Sequence, residues 1–248
     1  MPRITLFCLL TIVSFSGIQA KQLEMVGYTG VVGPDIRFHM ILEMKGSELK
    51  GVYYYDRILK DIQLKGSRQP DGRMVIEELD PAGRTTAVFD FPATGKIEGR
   101  GTGPDHARAG SWKHLRDQRE LKVKIVPEFI SPNVTIEKWY SGSAYGDADN
   151  DQIHRNIHKF WLAVKEGRAD AVAGCIIFPS EMNLAGKRVE IKNARQFIKV
   201  FPQVFTPEFR KLVTSHPPRY LWYNYQGLML GRGCIWFNFS GRVIGVNN

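Results

Sequence analysis

Three side chains midway along the chain have the spacing of a metal site. His154 and His158 lie four residues apart, and Asp151 lies three before the first of them. On a helix all three share one face, and imidazoles at that spacing can hold a divalent cation. The same helix needs Ile153, Ile157, Phe160, Trp161 and Val164 as its apolar stripe, so a solvated polar face is the simpler account of the histidines. No glutamate base follows in the H-E-x-x-H manner. Asp147, Asp149 and Asp151 alternate as at the opening of a calcium loop. Gln152 stands where the loop needs glycine, however, and His158 where a bidentate glutamate would close it. The expectation is no metal and no cofactor.

Cys175 and Cys234 are the two cysteines outside the N-terminal apolar run that holds Cys8. A bridge between them would stabilise the fold by about 4 kcal/mol. Two separate buried thiols fit as well, because a free cysteine packs as a small apolar residue. Lys187, Arg188, Lys192, Arg195 and Lys199 form the densest basic cluster, a candidate anion-attracting patch. The net charge of +9 is otherwise spread along the chain, unlike the concentrated footprint of a nucleic-acid binder. Trp161, Tyr223, Tyr225 and Trp236 are candidates to line a ligand cavity among the many aromatics that should form core. No G-x-S-x-G elbow or phosphate-binding loop occurs, and Gly99-Arg100-Gly101-Thr102-Gly103 lacks a following helix.

The elements that must position these residues fall into successive stretches. Residues 1–20 read as an export signal, with Arg3 before an apolar run from Ile4 to Phe15 and Ala20 at the cleavage point. That run is shorter than the roughly 20 apolar residues a membrane span needs, so no transmembrane segment is expected after its removal. Residues 21–126 read as an all-β antiparallel meander or barrel of seven or eight strands. Ile36, Phe38, Met40, Leu42 and Met44 alternate, and Asp71-Gly72 and Ala82-Gly83 mark hairpins. Residues 127–150, with Ser131-Pro132-Asn133 and Ser141-Gly142-Ser143, read as a linker. Residues 151–248 read as an α+β domain. Asp151 caps a first helix that ends at Gly167, strands follow over 175–178 and 187–192, Asn193 and Thr206-Pro207 open further helices, and a run of strands ends the chain.

The last stretch resembles the NTF2-like (SnoaL-like) superfamily, in which helices fold into the mouth of a curved antiparallel sheet. Phe160-Trp161-Leu162-Ala163-Val164-Lys165-Glu166-Gly167-Arg168 is similar to the first helix of many such domains. The segment from Asn224 to Asn238, with Gly231-Arg232-Gly233-Cys234-Ile235-Trp236-Phe237, is similar to the final strands of exported bacterial proteins of this type. So is Ile244-Gly245-Val246-Asn247. The resemblance implies an α+β cone and says little about activity, since such folds host both enzymes and binding modules. The N-terminal half loosely resembles β-meander modules of bacterial envelope proteins. Together these features point to an exported, periplasmic or secreted, non-catalytic binding protein. Its partner would be a protein or an anionic envelope component and not nucleic acid; inhibitor and immunity factor are roles of that kind. The competing expectation is a small-molecule enzyme of isomerase, dehydratase or hydrolase type using the cone cavity.

Overall fold

The computed structural model describes residues 23–93, 101–132, 134–140 and 149–248. The export signal, Asp147 and part of the glycine-rich stretch at 99–103 lie outside the described residues. Eight strands close into an antiparallel barrel in simple up-and-down order. They are β1 (Leu23–Val32), β2 (Ile36–Lys45), β3 (Glu48–Tyr55), β4 (Ile62–Arg68), β5 (Met74–Leu79), β6 (Thr85–Phe91), β7 (Arg108–His114) and β8 (Glu120–Pro132). The expected alternation is that of β2, whose Phe38, Met40, Leu42 and Met44 point inward. Inside the barrel the rings of Phe38, Tyr53 and Phe89 meet at 5.4–5.9 Å between centroids. An eight-stranded barrel is just wide enough to be filled by such side chains, so its interior is core and not a lumen.

Closure needs strands that bend sharply, and inward-facing glycines permit it. Gly51 pairs with Leu42 and Leu64 on the inner face, and a Cβ there would lie 2.2 Å from the Ile41 carbonyl oxygen. A Cβ on Gly66 would lie equally close, 2.2 Å, to the carbonyl oxygen of Val75. Glycine at such corners lets neighbouring backbones approach. G51A is therefore expected to lower stability by about 2 kcal/mol, read as a fall in the urea midpoint. K50A, next to it on the exposed face, should change stability by no more than about 0.5 kcal/mol.

The C-terminal region carries α1 (Asn150–Glu166), α2 (Ala169–Cys175), a hairpin of β9 (Ser180–Leu184) and β10 (Lys187–Ile191), α3 (Ala194–Val204) and α4 (Pro207–Thr214). A four-stranded antiparallel sheet follows, β11 (Trp222–Asn224), β12 (Gly227–Leu230), β13 (Ile235–Phe237) and β14 (Val243–Val246). The helix signals act as expected at Asn193, which accepts from Gln196 N, and at Thr206, which accepts from Phe209 N. Gly167 ends α1 in the left-handed conformation at φ 71°. The cap of α1 is Asp149, not Asp151: its carboxylate accepts from Asp151 N and Gln152 N at 2.9 and 3.1 Å. The strand expected at 175–178 is not formed. Cys175 ends α2, Ile176 makes a single parallel bridge to Val243, and β10 pairs with β9 instead.

One further expectation is corrected. The linker expected from residue 127 starts later, because β8 runs on to Pro132, pairing β1 as far as Glu24. Beyond it Trp139 and Tyr140 are buried. Of the two accounts of the cysteines, separate thiols is the one found: both are free and buried. Cys175 Sγ donates to the Ala171 carbonyl and Cys234 Sγ to that of Leu230, each within its own turn, and burial raises both thiol pKa values.

The barrel wall and the helices share one apolar cluster. Met25, Ile41 and Val52, on the outer faces of β1–β3, pack with Trp139, Tyr140 and the inner face of α1. Among the described residues no helix is long and apolar enough to cross a membrane.

Candidate functional site

The run Tyr53-Tyr54-Tyr55 in β3 puts Tyr54 on the outside of the barrel while its neighbours turn inward, since successive strand residues alternate. His39, directly across on β2, stacks on Tyr54 with centroids 5.4 Å apart and planes within 13°. The Tyr220 ring stacks on Tyr54 in turn at 6.1 Å. Trp139 meets Tyr220 edge-on at 5.3 Å and donates from Nε1 to the Leu221 carbonyl. These rings form one wall of an open cleft of about 590 Å³ at the seam between the barrel and the C-terminal region. The other wall is the edge of the four-stranded sheet, with Trp222, Met229 and Arg232. A bulge in β8 opposite Gly27 and Tyr28 turns Glu128 toward the same cleft, a usual way for a strand to re-aim a side chain.

A charged network pins the floor. Arg219 donates to Asp61 Oδ2 at 2.5 Å and to the Leu59 carbonyl at 3.2 Å, and Tyr220 OH donates to the same Asp61 oxygen at 2.7 Å. The guanidinium also lies over the rings of Tyr54 and Tyr220, at 5.8 and 5.7 Å. Burial pulls the Arg219 pKa down, but Asp61 overrides it and the net shift is upward. Burial and then Asp61 raise the Tyr220 hydroxyl. Behind Tyr220, His154 is fully enclosed, 4.6 Å from that ring and 5.5 Å from Tyr140. Its Nε2 accepts from Tyr220 N at 3.3 Å, which leaves the proton on Nδ1, where no hydrogen-bond partner stands among the described residues. Burial, helped by Arg219, pushes the His154 pKa down to about 3.

The backbone is strained at the same place. Five non-glycine residues among those described have positive φ, and Tyr220 (49°) and Arg232 (56°) both line the cleft. Leu59 (55°) supplies the carbonyl that Arg219 holds. Left-handed conformations of bulky residues cost about 1–3 kcal/mol and gather at functional sites.

Sequence-derived candidates are only partly assembled here. Tyr223 lines the cleft. Trp236 shares the outer face of the sheet with Trp222 and Met229, one strand further on. Trp161 is buried in α1, its Nε1 donating to the His216 carbonyl at 3.0 Å, and Tyr225 is 78% exposed in the turn after β11. The helical trio separates: His154 turns into the core while Asp151 and His158 face out. Among the described residues no three histidine, cysteine or acidic groups are placed to hold a metal. Lys187, Arg188, Lys192, Arg195 and Lys199 are all exposed on β10, the turn after it and α3, with Arg188 3.4 Å from Glu181. His39, Tyr54, Asp61, Arg219, Tyr220 and Arg232 were not candidates. The outward Tyr54 and the glycines on both sides of Arg232 were the available signals.

No family model matches the chain, and neither a curated protein nor a solved structure matches it.

Proposed function

We propose that this is an exported, non-catalytic binding protein that seats its ligand or partner in the cleft between the barrel and the C-terminal region. The observation that carries the reading is the coincidence of two strained residues, Tyr220 and Arg232, with an aromatic-walled cleft. Concave, mostly apolar sites with a few fixed polar groups are where proteins bind ligands. The barrel interior is filled, so the seam is the better seat. Two helices, a hairpin, two more helices and a four-stranded antiparallel sheet, in that order, support an NTF2-like C-terminal domain. Export rests on the leader at residues 1–20, and a periplasmic or secreted chain would meet proteins and anionic envelope components.

The inner polar groups are engaged in holding the seam together. Asp61 Oδ2 accepts from Arg219 and Tyr220 together, and His154 Nε2 accepts from the Tyr220 backbone N–H. One observation favours the enzyme reading: His39, on the cleft wall, lies within ion-pair reach of Asp56, with Nε2 3.3 Å from Oδ1 and no hydrogen bond between them.

The test is affinity capture from an envelope extract with residues 21–248 and with the same chain carrying W222A. Trp222 is 53% exposed, so its truncation leaves the fold alone. A component enriched by the wild-type chain and held about 30-fold more weakly by W222A is the expected result, the loss typical of a tryptophan anchor. Equal retention by both chains would place binding elsewhere.

A further inference from the structure

Arg232 sits in the tight turn that joins β12 to β13. Its φ and ψ are 56° and 31°, Gly233 follows at φ 91°, and Cys234 N donates to the Gly231 carbonyl at 3.3 Å. That is a type I′ turn, whose first central position favours asparagine, aspartate or glycine. The turn has no room to relax: a Cβ on Gly231 would lie 2.6 Å from Cys234 Sγ and 2.8 Å from the His216 ring. Arginine at this position is strained, and its side chain returns nothing to the fold, since it makes neither hydrogen bond nor ion pair among the described residues. The guanidinium stands free at the mouth of the cleft.

Two opposite charges stand on the rim of the mouth, Arg232 and Glu128, and no ion pair joins them among the described residues. Arg232 and His216 are unpaired donors there, and Glu128 is the carboxylate on the same rim. Arg232, Glu128 and His216 line the same cleft. Two further carboxylates at the cleft's inner side are engaged, Asp61 by Arg219 and Tyr220 and Asp56 by His39. Beside Arg232 the sheet presents Trp222 and Met229 as a cross-strand pair, with Trp222 half exposed.

We propose that the cleft binds an organic anion with an apolar body, the anionic head on Arg232 and the body against Trp222 and Met229. The proposal rests on the cleft being the binding seat and adds the chemistry of the ligand. Guanidinium is suited to it, because its planar fork meets carboxylate, sulfonate or phosphate oxygens with charge-assisted hydrogen bonds.

A pair of fluorescent probes separates the two claims. Anilinonaphthalene sulfonate carries a sulfonate on an aromatic body, and N-phenylnaphthylamine has the same body without the charge. Titrated into the full chain, the sulfonate should bind at least about ten-fold tighter than the neutral probe. R232Q should remove that difference without weakening the neutral probe, and W222A should weaken both. R195Q, on the α3 surface, should change neither. Equal binding of the two probes, or loss of the sulfonate in R195Q instead of R232Q, overturns the anion proposal while W222A still reports on the seat. Indifference of both probes to W222A, or no binding of either, overturns the seat itself. The substituted side chains are exposed, and unchanged thermal melts establish that each variant is folded.

Discussion

Acidification is expected to destabilise the protein through His154, by on the order of 1 kcal/mol per pH unit between about pH 6 and pH 4. In the folded chain the imidazole is held neutral, its pKa pushed down to about 3 by burial and by Arg219. In the unfolded chain it titrates near the ordinary value of about 6.5. Between those limits the unfolded chain binds a proton that the folded one refuses. The stability is therefore complete above the ordinary value and is lost as pH falls toward the folded one. The rings of Tyr140 and Tyr220 face the imidazole, and the charge that adds to the burial effect is the Arg219 cation. H154Q keeps an acceptor for Tyr220 N–H and removes the titration. Urea midpoints from pH 4.5 to 7.5 should fall less steeply for H154Q, by about one bound proton. His158 and His216 also have lowered pKa values, so part of the slope remains in the variant. Parallel profiles for the two proteins would sink the assignment to His154.

R219A should be the most damaging single change at the seam, with a loss of about 3 kcal/mol. Arg219 and Asp61 expose only 16% and 20% of their side chains. Truncation removes both hydrogen bonds of the guanidinium and its packing on two tyrosine rings. It also leaves a mostly buried carboxylate with Tyr220 as its remaining hydroxyl donor. Denaturant unfolding of R219A, D61A and the double variant measures the coupling: the double should lose clearly less than the sum of the singles. R219A has a second signature. Arg219 helps depress the His154 pKa, so its removal should flatten part of the acid limb. A purely structural loss would lower stability equally at every pH.

What could be read from the residues divides by range. Strand period, hairpin turns and helix caps are local, and the inward run of β2, the left-handed Gly167 and the Thr206 cap follow from a few neighbouring side chains. The barrel appears at the expected place for the same reason, since each strand pairs with the next in sequence. The cleft depends on pairs such as Asp61 with Arg219 and Tyr54 with Tyr220, which are remote along the chain and carry no local mark. The expected linker failed similarly. Its serines, proline and glycines resemble those of a loop, yet β1 needs a partner along its whole length and Trp139 needs a place to be buried. His154 and His158 read together as a solvated polar face because their spacing is helical; the apolar stripe is wider than that spacing suggests and takes His154 into it.

Sequential strand order also sets a timetable for the growing polypeptide. A chain made from its N-terminus can zip β2 to β7 as each strand emerges, but β1 keeps one ladder edge open until β8 has been made. Once that edge closes, Met25, Ile41 and Val52 on the outer wall still await Trp139, Tyr140 and α1. The nascent protein thus passes through two sticky stages, first a bare strand and then a bare wall, each exposing surface that invites aggregation. The four-stranded sheet is made last of all, so the cleft wall that carries Trp222, Met229 and Arg232 is the last to arrive.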